Sequence, residues 1–134
     1  MLVTGIDIIE ISRIKKVAEH HGERFLKRLY TESEVIYCRG RAPQLASRFA
    51  AKEAVMKALG TGTKGVSWKD IEVVRQPGGP PQIQLHGRAL EHAARLGIEQ
   101  WAISLSHSRE FAIASVVGEI HEPVKPAYEY DQNS

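Results

Sequence analysis

The chain reads as a single α+β domain, and three observations predict it. Two segments, one around Ile71 to Leu85 and one from Trp101 to Val117, each contain a pair of short strands joined by turn residues, which makes those pairs antiparallel. The helical segments do not alternate strictly with strands, as a doubly wound parallel sheet would require. No internal repeat or low-complexity linker separates a second folding unit within the 134 residues.

The elements follow in order. Val3 to Ile11 is a β-branched run that reads as a buried strand, interrupted by Asp7, whose carboxylate is costly there unless paired, hydrogen-bonded or bound to a cation. Ser12 is placed to cap a helix with Ile14, Val17 and Ala18 at helical spacing, stopped by Gly22. A turn-rich segment carries Phe25, Leu26 and Leu29. Thr31 followed by Glu34 is a capping-box signal for a helix reaching about Cys38. Gly40 and Pro43 separate it from the longest helix, about Pro43 to Leu59, which Gly60 ends. The Gln-Pro-Gly-Gly-Pro-Pro stretch turns between strands carrying Ile71, Val73 and Ile83, Leu85. Residues 87–96 form a helix ended by Gly97, and two alternating strands joined at Ser106 to Glu110 complete the domain. Residues 1–118 are thus one domain, and 119–134 form a polar, Pro-containing acidic tail, read as exposed or loosely docked.

Composition narrows the function. The formal charge of +2 conceals eleven Lys or Arg against seven acids in residues 1–60 and seven against nine in the remainder. A basic front half suits an acidic protein or a polyanionic ligand. Nucleic acid is disfavoured because the net charge is slight and the basic segment lacks the interleaved aromatics of a single-strand binder. The lone Cys38 excludes an internal disulfide and a thiolate zinc cluster, and it reads as a surface or helix-packing thiol. No secretory signal and no apolar run of about 18 residues is present, so no membrane role is expected and the protein reads as cytoplasmic. At 14.9 kDa the chain is small for gripping a large cofactor and a protein together, a problem that a site shared between subunits would solve.

The chemistry concentrates in Arg48-Phe-Ala-Ala-Lys-Glu-Ala-Val-Met-Lys-Ala-Leu-Gly-Thr-Gly62. Ala50, Ala51, Ala54 and Ala58 allow another backbone or a ligand to come close. Glu53 and Lys57 stand four residues apart and share a face, while Lys52 projects to another. The plain alternative is an exposed salt bridge worth a few tenths of a kcal/mol. Asp7 and the hairpin end bearing Ser106, His107 and Ser108 are the other two places where polar chemistry interrupts an apolar pattern. His20 and His21 show no zinc spacing and read as surface residues.

Gly-Ile-Asp (5–7), Phe-Ala-Ala-Lys-Glu-Ala (49–54), Lys57, Gly-Thr-Gly (60–62) and Ser-Leu-Ser-His (104–107), in this order and spacing, resemble the holo-acyl-carrier-protein synthases, the small class of 4′-phosphopantetheinyl transferases, over about residues 1–118. The resemblance implies an antiparallel sheet packed around the long helix and a homotrimer with active sites at subunit interfaces. It implies transfer of phosphopantetheine from coenzyme A to a serine of apo acyl carrier protein, releasing adenosine 3′,5′-bisphosphate, for fatty acid biosynthesis. On that reading Asp7 and Glu53 bind Mg2+, with the serine proton taken by Glu53 or by a metal-bound water. Glu10 is the reserve ligand. Lys57 stabilises the transferring phosphate. Arg48, Lys57, Gly60, Thr61, Gly62, Ser106, His107 and Ser108 contact coenzyme A, and Arg13, Arg24, Phe25 and Arg28 contact the carrier. A magnesium-dependent pyrophosphate hydrolase and a non-catalytic basic binding module are the rival readings, and neither accounts for the three motifs jointly.

Overall fold

A computed structural model describes residues 1–121; residues 122–134, most of the expected tail, lie outside the described residues. The order is β1 (Leu2–Glu10), α1 (Ile11–His21), α2 (Glu23–Leu29), α3 (Glu32–Cys38), α4 (Ala42–Leu59), a 3₁₀ turn (Trp68–Asp70), β2 (Ile71–Arg75), β3 (Pro81–Leu85), α5 (Gly87–Leu96), β4 (Ile98–His107) and β5 (Phe111–Ile120). Both sheets are antiparallel: a three-stranded sheet in the order β1-β5-β4 and the two-stranded β2-β3 hairpin. The α+β expectation holds, and α4 lies across the inner face of the larger sheet, against β1 and β5.

α4 is helical by both of its ends. Pro43 stands in its first turn, where its missing N–H costs nothing, and Gly60 closes it at φ 74°. Ala46, Ala50, Ala51, Ala54 and Val55 are fully buried, so packing surrounds this helix rather than meeting one stripe. The alanines permit an unusually close approach. A Cβ on Gly5 would lie 1.9 Å from the Ala54 carbonyl oxygen and 3.2 Å from the Ala58 nitrogen. Only glycine lets β1 run there.

Four expectations are corrected. β1 is not buried on both faces: Gly5 and Ile9 face α4, whereas Leu2, Ile6 and Ile8 point outward at 62%, 62% and 57% exposure. α1 begins one residue before Ser12, at Ile11, with Glu10 in the capping position and no side-chain cap bond. The segment after Gly22 is a helix, α2, rather than an irregular turn. β5 continues through Ile120, with Glu119 opposite Leu2, so the first residues assigned to the tail belong to the sheet. Cys38 is fully buried, and burial pushes its thiol up to about 11.

Gly5→Ala is expected to cost about 3 kcal/mol or more, the upper end of overpacking effects, because the obstacle is backbone that cannot step aside. Urea unfolding checks this beside Gly79→Ala, whose Cβ would meet nothing nearer than 3.4 Å.

Candidate active site

The approach at Gly5 sets the register between β1 and α4, and Asp7, two residues along the same face, comes to rest beside Glu53 and Lys57. The Lys57 Nζ donates to Asp7 Oδ1 at 3.0 Å and to the Ile6 carbonyl at 2.9 Å. The Asp7 side chain is 12% exposed and that of Lys57 56%. Lys57 therefore pairs with the strand carboxylate rather than with Glu53, its neighbour one turn back on the helix. Glu53 has its carboxyl raised above the usual range, first by burial and then by the Asp7 charge, with Lys57 and Arg13 opposing. Two carboxylates at such quarters repel unless a proton or a cation lies between them.

Asp7 and Glu53 border a cleft of about 350 Å³ lined also by Ile8, Glu10, Arg13 and Phe111, among others. Arg13 thus stands beside the carboxylates, although it entered the argument as a docking residue. Phe111, opposite Glu10 across the sheet and 39% exposed, was not singled out from the sequence; a large aromatic at a polar hairpin end was the available signal. Among the described residues no cluster of three or more His, Cys, Asp or Glu side chains is arranged to hold a metal. Glu10 is therefore on the cleft wall without completing a ligand set. Asp7 and Glu53 offer two hard oxygen donors, the usual protein share for Mg2+, which takes its remaining ligands from water and phosphate.

The other two basic residues of the α4 motif leave the cleft. Lys52 is fully buried, its Nζ donating to Glu34 Oε1 at 2.7 Å, to the Trp68 carbonyl at 3.1 Å and to the Ile71 carbonyl. Burial lowers its ammonium, and Glu34 opposes that shift. Glu34 also accepts from Thr31 N at 2.9 Å and Val73 N at 3.1 Å, so the predicted capping box forms but its glutamate serves α4 and β2 as well. Arg48 is buried with its guanidinium 4.4 Å from the Tyr37 ring centre; Nη1 donates to Ser47 Oγ, while Nε and Nη2 have no partner among the described residues.

The remaining motifs lie apart from the cleft within one chain. The Gly60 and Thr61 amides, expected to approach a phosphate, close the helix instead by donating to the Lys57 and Met56 carbonyls, and the Thr61 hydroxyl donates to the Gly62 carbonyl. His107 is exposed at the end of β4, level with Ile9 through Ala112. It is two strands from β1, about 10 Å at ordinary strand spacing. Ser106 is exposed, and the Ser108 hydroxyl accepts from the Glu110 and Phe111 amides, bracing the turn. Arg24, Phe25 and Arg28 line a separate recess of about 310 Å³ with His21 and Trp68. Phe25 is buried against Tyr30 and forms its wall rather than a projecting contact. His21, read from sequence as a bystander, is part of that recess.

The family described as the 4′-phosphopantetheinyl transferase superfamily matches residues 4–115. A holo-[acyl-carrier-protein] synthase of Herpetosiphon aurantiacus is 50% identical over 125 residues, covering 88% of this chain and 98% of the relative. That of Dehalococcoides mccartyi is 52% identical over 119 residues, covering 89% and 99%. Among solved structures, the Helicobacter pylori holo-[acyl-carrier-protein] synthase in complex with coenzyme A aligns with a TM-score of 0.79 at 37% identity, covering 87% of this chain and 99% of that one. The Bacillus anthracis synthase in complex with coenzyme A (3′,5′-ADP) aligns with a TM-score of 0.71 at 38% identity, covering 89% and 96%.

The raised Glu53 carboxyl means that the folded state binds this proton more tightly than the unfolded chain does. Its contribution to stability is therefore favourable at low pH and is lost as pH rises from the ordinary glutamate value, about 4.3, through the raised one. Glu53→Gln is expected to raise Tm relative to wild type at pH 7, and the gain should shrink toward zero by about pH 4. Thermal melts across this range test it; a gain independent of pH would contradict the assignment.

Proposed function

The chain belongs to the 4′-phosphopantetheinyl transferase superfamily, and from that premise we propose how its residues divide the work of the reaction. The enzyme transfers the phosphopantetheine arm of coenzyme A to apo acyl carrier protein, as a holo-[acyl-carrier-protein] synthase. The observation that carries the reading is that Asp7 and Glu53 line one cleft while Lys57 pairs with Asp7, from segments about 50 residues apart in sequence.

Phosphoryl transfer asks little covalent chemistry of a protein; it asks for in-line positioning and for positive charge where negative charge builds up. Asp7 and Glu53 would hold Mg2+, which supplies that charge at the transferring phosphoryl group. The donor set fits: two oxygen ligands, mutually repelling, with Glu53 carrying the cost. Lys57 is paired with Asp7 and is exposed enough to meet a phosphate oxygen. Arg48 is assigned to coenzyme A, and its two guanidinium nitrogens that lack a partner among the described residues support an anion there. His107, Ser106 and Ser108 at the hairpin and the Gly60 to Gly62 loop are assigned to the same donor. Arg13, Arg24 and Arg28, with the apolar wall that includes Phe25, suit the acidic carrier.

One chain leaves these groups on separate surfaces, and a homotrimer with its sites between subunits accounts for that. Support comes from the outer sheet face, where Leu2, Ile6, Ile8, Phe111 and Ile113 are 62%, 62%, 57%, 39% and 36% exposed. So much apolar surface on one face marks an interface. We assign the enzyme to the cytoplasm and to fatty acid biosynthesis. Among the described residues no helix is long and apolar enough to cross a membrane.

Intact-mass spectrometry of apo acyl carrier protein incubated with the enzyme, coenzyme A and magnesium should show a gain of about 340 Da, the phosphopantetheinyl addition to serine. The gain should disappear with EDTA and fall at least ~100-fold in rate for Asp7→Ala and Glu53→Ala. Coenzyme A cleaved without any gain on the carrier would instead point to hydrolysis. A second expectation concerns assembly: Ile8→Lys, at an exposed position, should leave the chain folded by circular dichroism but reduce its mass in light scattering from trimer toward monomer.

A further inference from the structure

We propose that Lys57 is the resident counter-ion of Asp7 and passes from Asp7 to a phosphate of the bound donor, so that the donor itself frees Asp7 for the metal. This deepens the proposed reading and rests on Asp7 and Glu53 being the metal ligands.

The geometry carries the inference. Helical spacing alone would direct Lys57 to Glu53, four residues earlier. Its ammonium instead reaches across to β1, to Asp7 Oδ1 at 3.0 Å and the Ile6 carbonyl at 2.9 Å. Two of its three protons are thereby committed to acceptors on the strand. The two partners differ in freedom: Asp7 is 12% exposed on a hydrogen-bonded strand, and Lys57 is 56% exposed on a flexible stem. Only the lysine can leave. In this pairing an ammonium sits on the carboxylate that a metal needs.

A divalent cation arriving alone must displace an ammonium that has nowhere better to go. A coenzyme A pyrophosphate offers that ammonium a second ionised acceptor, so leaving Asp7 exchanges one charge-assisted hydrogen bond for another instead of stranding the charge. Donor and metal therefore assist each other beyond their direct contact, and the assistance is reciprocal. The cleft also contains its own control. Arg13 is a cation on the cleft wall, but it makes no ion pair with Asp7 among the described residues.

The test measures free Mn2+ by electron paramagnetic resonance over the folded enzyme, with and without coenzyme A and with no carrier present, so that no turnover occurs. Wild type should bind Mn2+ weakly alone and at least ~10-fold more tightly with coenzyme A, within the usual range of coupling. Lys57→Gln should bind Mn2+ alone about 10-fold more tightly than wild type and lose most of the enhancement by coenzyme A. Lys57→Arg, which keeps the charge, should resemble wild type in the absence of coenzyme A. Arg13→Gln should change the affinity for Mn2+ alone by less than about threefold. An affinity in Lys57→Gln no tighter than wild type overturns the proposal. So does an equal gain in Arg13→Gln, which would reduce the effect to the general field of the cleft. Wild type that takes up no Mn2+ even with coenzyme A would sink the metal site itself, a separate failure.

Discussion

The contact between Gly5 and the Ala54 carbonyl is the constraint on which the rest of the site depends. A strand and a helix ordinarily keep their backbones apart by the width of their side chains. Here the strand has none at the crossing and the helix only alanine methyls, and a single methyl group on Gly5 would fall 1.9 Å from the Ala54 carbonyl oxygen. Because β1 can pass α4 this closely in only one register, Asp7 must stand beside Glu53 and Lys57. Flanking Ala50, Ala51 and Ala58 are buried with it, which keeps the helix level with the sheet along its length. A helix built of leucines would have stood further off and parted the two carboxylates.

The same helix carries two lysines with opposite employment. Lys52 is held by Glu34 and two carbonyls in the interior, tying α3, α4, the 3₁₀ turn and β2 at one point. Breaking such a buried pair from one side costs on the order of 3–5 kcal/mol, because the remaining charge is left without water or partner. Every oxygen of Glu34 is engaged, which is the condition under which a buried pair is tolerable. Lys57, a turn and a half later, has one end in solvent and can exchange partners. Five residues advance a helix by about 500°, and that rotation separates a buried lysine from an exposed one.

The larger sheet explains why the site is dispersed in one chain. α4 covers its inner face, and among the described residues nothing covers its outer one, where Leu2, Ile6, Ile8 and Ile113 lie open. The hairpin bearing His107 and the carboxylate cleft are separated by the width of β5. On the proposed reading these residues contact one donor together, which a site completed by another copy would allow.

Much of the element order was legible in the sequence because it rests on local chemistry: Thr31 and Glu34 for the start of α3, Pro43 and Gly60 for the ends of α4, and the Pro-Gly-Gly turn between β2 and β3. The pairing of Asp7 with Lys57 was not, since side-chain spacing on a helix points Lys57 at Glu53 and only the crossing at Gly5 offers a nearer carboxylate. The burial of Lys52 and Arg48 was equally hidden, because a lysine's sequence neighbours do not reveal whether a glutamate 18 residues away will meet it in the interior. The sequence by itself determined which residue types could carry phosphoryl transfer and where helices and turns begin and end, for those depend on hydrogen bonds within a few residues. Tertiary structure alone decided which charges are spent on the fold and which remain for chemistry, because that depends on what packs against them from distant parts of the chain.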